Sequence, residues 1–168
     1  MPFSNTPRTA TGARRQRGIA VVEFTILLPV MLLLLMAVGE LGRAFMQYNT
    51  LTRAVRDSAR YVASHALKGS TQVVTLDGAL IDEATNLVIY GKTTAGGTPL
   101  LQNFGSGGSV QIQQHDPSLP GGPGEGNITV TATYPFTPTL GTVMPDVLGD
   151  GGISTAFTMR AQVTMMAL

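Results

Sequence analysis

Cysteine is absent from the 168 residues, so no disulfide fixes the fold and no thiolate is available for catalysis or for a metal site. Charge is scarce too: Asp, Glu, Lys and Arg make up 12% of the chain, about half the share of an ordinary soluble domain. The two histidines, His65 and His115, have no HExxH or other ligand spacing around them, which argues against a metal centre. Asp146 and Asp150, with Gly149, Gly151 and Gly152, lack the alternating acids and terminal Glu of a calcium loop. Gly105-Ser106-Gly107-Gly108-Ser109 is not followed by Gly-Lys-Ser/Thr, so it is not a phosphate loop. There is no GxSxG and no plausible Ser-His-Asp set. The sequence therefore offers no enzyme chemistry, no cofactor site and no metal site.

What is present is apolar and unevenly charged. Hydrophobic residues make up 43%, the signature of a membrane segment joined to a polar, lightly charged part. The net charge of +1 conceals an asymmetry. Residues 1–68 carry nine Lys/Arg against three acids, whereas residues 69–168 carry two against seven. The basic residues flank an apolar run instead of lining a groove with stacking aromatics, so nucleic acid is not an expected partner. A basic segment before the run predicts a cytoplasmic N-terminus.

Residues 1–18 are polar and basic, with Pro2, Pro7 and Gly12, and read as a disordered leader. Residues 19–39 follow as a transmembrane span, about 31 Å of helix, which matches the hydrocarbon core of a bilayer. Pro29 inside it removes a hydrogen bond to the Thr25 carbonyl and predicts a kink or a loosened turn. From residue 40 to 68 an amphipathic helix continues without proline. Its apolar positions are Leu41, Ala44, Phe45, Tyr48, Leu51, Val55, Ala59, Val62 and Ala66. Arg53 and Asp57, four apart on the other face, are placed to pair. Lys68 and Gly69 are the expected helix end.

Residues 69–168 read as an extracytoplasmic α+β domain. A short helix is expected over 79–90, closed by Gly91. Strands are expected over 109–115, 127–134 and 153–165, the last placing Ile153, Phe157, Met159, Ala161, Val163 and Met165 on one face. Residues 116–126 form the loop of a hairpin between the first two strands. Tyr134-Pro135-Phe136-Thr137-Pro138 is expected to end the second strand in a turn, where either proline could be cis. The predicted architecture is a long N-terminal transmembrane and amphipathic helix packed on a small antiparallel sheet, a pilin-like arrangement.

The most specific stretch is Arg14-Arg15-Gln16-Arg17-Gly18-Ile19, with Glu23-Phe24 just beyond it. Three processing schemes fit this terminus. A conventional signal peptide would be cut after Ala37-Val38-Gly39, and an uncleaved anchor needs only the span and its basic flank. The third is a prepilin signal, cut between Gly18 and Ile19, with Arg14, Arg15 and Arg17 as leader charge. Glu23 then becomes the fifth mature residue. A carboxylate at the centre of a membrane helix costs on the order of 2.5–3.5 kcal/mol, and less near the interface. It gains a partner if the new α-amino group of a neighbouring helix lies beside it; alternatively it snorkels or is protonated.

The chain resembles the TadE-like minor pilins, or pseudopilins, of the tight-adherence (Tad/Flp, type IVc) pilus systems. The resemblance lies in Arg17-Gly18 with Val21-Val22-Glu23-Phe24, in Leu28-Pro29, and in Val38-Gly39-Glu40-Leu41-Gly42-Arg43. It runs on through Leu51-Thr52-Arg53-Ala54-Val55-Arg56-Asp57-Ser58-Ala59-Arg60-Tyr61, with weaker echoes at Val88-Ile89-Tyr90-Gly91, in Tyr134-Pro135-Phe136-Thr137-Pro138 and in Thr158-Met159-Arg160. It implies cleavage by a prepilin peptidase and a part in initiating or assembling the pilus beside other pilins. The implied location is the inner membrane, single-pass, with the C-terminal domain outside. Having no nucleotide site, the chain would depend on an assembly platform and its ATPase. Two other readings stand beside it: an anchored envelope-binding protein outside any filament, and a secreted protein.

Overall fold

The computed structural model describes residues 13–67, 74–114, 126–139 and 156–167, with side chains from residue 18 onward. Helix α1 spans Ala13–His65 with Pro29 inside it. It begins six residues before the end of the expected leader. Ala13, Arg14, Arg15, Gln16 and Arg17 are all good helix formers, and no proline stands between them and the apolar run. At its other end α1 stops at His65, short of the expected Lys68. Leu67 instead forms an antiparallel bridge with Val74, and the Thr75 N–H donates to the Ala66 carbonyl at 2.8 Å. Residues 1–12, Lys68, Gly69, His115, the loop through 125, Ile153, and Asp146 and Asp150 with their glycines lie outside the described residues.

The chain divides into two compact units, residues 1–41 and 42–168. In the first, the side chains from Ile19 to Leu35 are all exposed, as an apolar run with no covering layer of its own must be. In the second, α1 supplies one wall of the core. Leu51, Val55 and Val62 are fully buried, with Ala44, Ala54, Ala59 and Ala66 around them. Each buried Leu or Val of this kind contributes about 1.5–3 kcal/mol relative to exposure. Leu41, Phe45 and Tyr48, expected on the same covered face, are exposed. Periodicity identified the apolar face but not where its cover ends.

Helix α2, Gly78–Tyr90, follows the pattern expected for it. Asp77 caps its start by accepting a hydrogen bond from the Leu80 N–H at 2.9 Å. Gly91 ends it at φ +70°, the left-handed conformation that glycine adopts without strain. Leu80, Ala84 and Val88 face inward, and the buried Ser58 hydroxyl of α1 donates to the Ala84 carbonyl at 2.9 Å.

Strands β1 (Ser109–Gln114), β2 (Asn127–Phe136) and β3 (Phe157–Met166) form one antiparallel sheet in the order β1-β2-β3. The fold is thus α+β, with Val130, Ala132, Tyr134, Met159 and Ala161 of the sheet packed into one core with Leu51 and Val55. The opposite face carries polar ladders, including Ser109–Thr133 at 2.6 Å and Thr129–Thr164 at 2.7 Å between hydroxyl oxygens. β2 is longer than expected and contains Pro135. β1 begins opposite Thr133, so at Pro135 only β3 pairs with β2, and a missing N–H is tolerated there. No cis peptide bond occurs among the described residues. Arg53 and Asp57 are exposed and do not pair.

Tyr134 is held at both ends of its ring. Its hydroxyl donates to the Gln102 carbonyl at 2.6 Å, and its ring stacks on Phe104 at 5.9 Å. Gly108, which donates to the Phe104 carbonyl, has no room for a side chain. A Cβ there would collide with that carbonyl and with the Phe104 ring. Gly108→Ala should therefore destabilise the domain by about 1–3 kcal/mol, read as a shifted midpoint in chemical denaturation.

Two phenols sit above their ordinary value of 10. Tyr61 is raised first by its 2.6 Å hydrogen bond to the Glu83 carboxylate, and Tyr134 by burial, with Arg43 acting the other way. A group raised on folding lends stability that is complete below its unfolded pKa and is lost as pH rises through the folded one. Stability should therefore show no phenolic dependence below pH 10 and should fall above it. Replacing both tyrosines by phenylalanine should remove that alkaline fall, measured by denaturation at several pH values.

Candidate processing and docking site

The predicted site lies on the exposed N-terminal part of α1. Gly18, Ile19, Val22, Glu23 and Ile26 line one open hollow on the helix surface, the face made by residues three, four and eight apart. The structure thus brings Gly18, Ile19 and Glu23 to a common face. Phe24 is exposed beside them, and Arg14, Arg15 and Arg17 lie in the first turns of the same helix.

Gly18 is the informative residue. A Cβ built on it meets nothing within 4 Å, so the packing of this chain does not require a glycine there. Glycine inside a helix costs roughly 1 kcal/mol relative to alanine. The residue therefore weakens the helix there, as Gly39 and Gly42 do further along, without a compensating contact among the described residues. A scissile peptide bond must leave the helix to enter an active-site cleft, and a glycine lowers the cost of that unwinding.

Glu23 is exposed and, among the described residues, has no hydrogen bond or ion pair. Its neighbour Thr25 contrasts with it: the Thr25 hydroxyl donates to the Val21 carbonyl at 2.8 Å, so that polar group is satisfied within the helix. A hydroxyl can fold back on its own backbone in an apolar medium, whereas a carboxylate needs a donor from elsewhere. Pro29 lies four residues beyond Thr25 and has no N–H to give to its carbonyl; α1 nevertheless runs on past it. The helix through this site is long and apolar enough to cross a membrane.

In the sequence Arg43 stood out only as the last residue of the Val38-Gly39-Glu40-Leu41-Gly42-Arg43 stretch. The structure gives it a joining role: its guanidinium lies 4.7 Å over the Phe136 ring, and Nη2 donates to the Thr137 carbonyl at 2.8 Å. The Tyr134-Pro135-Phe136-Thr137-Pro138 stretch was visible in the sequence, but nothing there linked it to a residue more than ninety positions earlier.

A membrane-length helix together with a small three-stranded antiparallel sheet makes the chain an α+β protein. Residues 18–60 match the model of the TadE-like protein family, so this helical segment is similar to that family. The match begins at Gly18, lies wholly on α1, and covers about a quarter of the chain. Comparison with curated proteins and with solved structures gave no match.

Because nothing packs against Gly18, Gly18→Ala should be accommodated without rearrangement and should strengthen the helix locally. With a gain of about 1 kcal/mol, amide exchange around residues 16–22 in detergent micelles should slow roughly fivefold. An unchanged exchange rate would mean that the glycine is not a weak point.

Proposed function

We propose that the chain is a minor pilin or pseudopilin, cut between Gly18 and Ile19 by a prepilin peptidase, that takes part in initiating or assembling a Tad-type (type IVc) pilus used in surface adhesion. The observation that carries this reading is the pairing of a glycine that packing does not require with an exposed carboxylate five residues later. The TadE-like match beginning at that glycine supports it.

In this reading the chain is a substrate and then a subunit, not an enzyme. Residues 1–18 are the leader, 19–39 the membrane helix, 40–68 its extension and 69–168 the outer domain. Arg14, Arg15 and Arg17 hold the leader on the cytoplasmic side, and the domain lies across the inner membrane. Hydrolysis of the Gly18–Ile19 bond leaves a carboxylate on Gly18 and an α-amino group on Ile19. That amine, protonated, is the donor that the Glu23 carboxylate of an adjacent helix lacks among the described residues of its own chain. In a low-dielectric setting the pair is strongly favoured over either charge alone, so it fixes the register of one subunit on the next. Other pilins are then the partners, and extraction from the membrane is driven by an assembly platform and its separate ATPase.

N-terminal sequencing of protein from cells with and without the peptidase tests the cut. The expected mature terminus is Ile19, and it should be lost when the peptidase is absent. An intact leader would mean an uncleaved anchor, and a terminus at Glu40 a conventionally secreted protein. Gly18→Val should block processing. Glu23→Ala should be processed as wild type yet impair pilus assembly, and normal piliation in that variant would defeat the pairing.

A further inference from the structure

The sheet has two outer strands of different character. β1 is six residues long, and α2 lies beside it. β3 is ten residues long, and among the described residues no strand pairs with its outer side. Open edges are usually blunted by shortness, a bulge, proline, lysine or a charge aimed inward. β3 has no proline or lysine, and its register with β2 runs unbroken from Phe157 to Met166. Arg160 is its one charge, on the exposed face.

The register also fixes which backbone groups of β3 are unused. The Ala167 N–H donates to the Gly126 carbonyl at 2.8 Å, so ladder bonds to β2 recur at Met165, Val163, Ala161, Met159 and Phe157. The N–H and C=O groups of Thr158, Arg160, Gln162 and Thr164 therefore point outward. Thr129 and Thr164 agree with this phase: their hydroxyl oxygens meet at 2.7 Å, as side chains do across a non-bonded pair. The core is open along the same edge. Phe157 is 51% exposed, and Val163 and Met165 are partly covered, whereas Val130 and Ala132 of β2 are fully buried.

We propose that two copies of the chain join antiparallel through β3, about a two-fold axis at Ala161, so that two three-stranded sheets become one. The residues of the strand select this partner and this register. With Ala161 facing Ala161, Arg160 lies opposite Gln162 and Thr158 opposite Thr164 on the polar face. On the apolar face Met159 lies opposite Val163, and the exposed Phe157 ring meets the Met165 thioether, a favourable contact. The outward backbone groups from Thr158 to Thr164 all find partners, and no like charges are opposed. An axis at Arg160 would set two guanidinium groups face to face, and one at Gln162 would leave Phe157 opposite Ala167. Arg160 already donates to the Gln162 Oε1 at 3.0 Å within its own strand, so across the axis the same two groups exchange partners. Self-pairing through β3 does not require a cut at Gly18.

The chain has no cysteine, so introduced thiols report proximity without background. Thr158→Cys and Thr164→Cys, both at exposed positions, would be made separately in the full chain and oxidised in detergent micelles, alone and mixed. Opposite residues of a bonded pair have Cα atoms about 5.5 Å apart, within disulfide reach. Two Thr158 residues would lie about 20 Å apart along the strands. The mixture should therefore form a disulfide-linked dimer roughly tenfold faster than either variant alone. Equal rates in all three samples would mean random collision and overturn the proposal. Absence of any dimer would overturn it too, because the edge is then idle or covered by something else. In the same background Gln162→Lys sets a second cation opposite Arg160 and should abolish the cross-link, whereas Gln162→Glu should keep it. Cross-linking that survives the lysine, or is lost with the glutamate, rules out the axis at Ala161.

Discussion

A three-stranded sheet with one apolar face cannot hold itself together in water, and here the surface that covers it is the face of α1 around Leu51, Val55 and Val62. Everything else in the domain is arranged around that contact. α2 closes one side through the buried hydrogen bond from Ser58, and the turn before β1 closes another through Phe104 and Tyr134. With no cysteine in the chain, no covalent link substitutes for this packing. The stretch matched to the TadE-like family therefore includes part of the core wall, from Ala44 to Ala59, as well as the apolar run.

The sequence conveyed the elements more readily than their extents. α2 was legible from Leu80, Ala84 and Val88 and from its closing glycine, and the three strands from their alternation, because local periodicity and turn chemistry dictate both. The long helix was legible as a whole, yet its ends were not: it starts earlier because Arg14 to Arg17 are helix formers, and stops earlier because Leu67 pairs with Val74. β2 runs through a proline that read as a terminator, since only the neighbouring strand reveals which backbone N–H groups are needed. Leu41, Phe45 and Tyr48 fit the apolar period but lie uncovered, which no single-helix pattern can report.

For the candidate site, the spacing of Gly18, Ile19 and Glu23 was fully visible as a pattern. The structure adds the reason to read it functionally: among the described residues nothing packs where a side chain at 18 would begin, and none donates to the carboxylate at 23. The glycine and the carboxylate fall within two turns of one another; Gly39 and Gly42, which packing likewise does not require, lie further along the same helix. Arg43 is the opposite case. Its importance depends on a contact across the fold to Phe136 and Thr137, and charge patterning along one helix carries no trace of that.

The sharing of α1 between anchor and core also bears on turnover. Many anchored proteins release an intact outer part when a protease cuts an exposed linker. Here the stretch from Leu51 to Val62 is helix and core wall, so a cut within it takes part of that wall from beneath the sheet. What remains would expose the inner faces of β2 and β3 and unfold. A cut that spares the whole wall must fall ahead of Ala44, the first buried residue of α1.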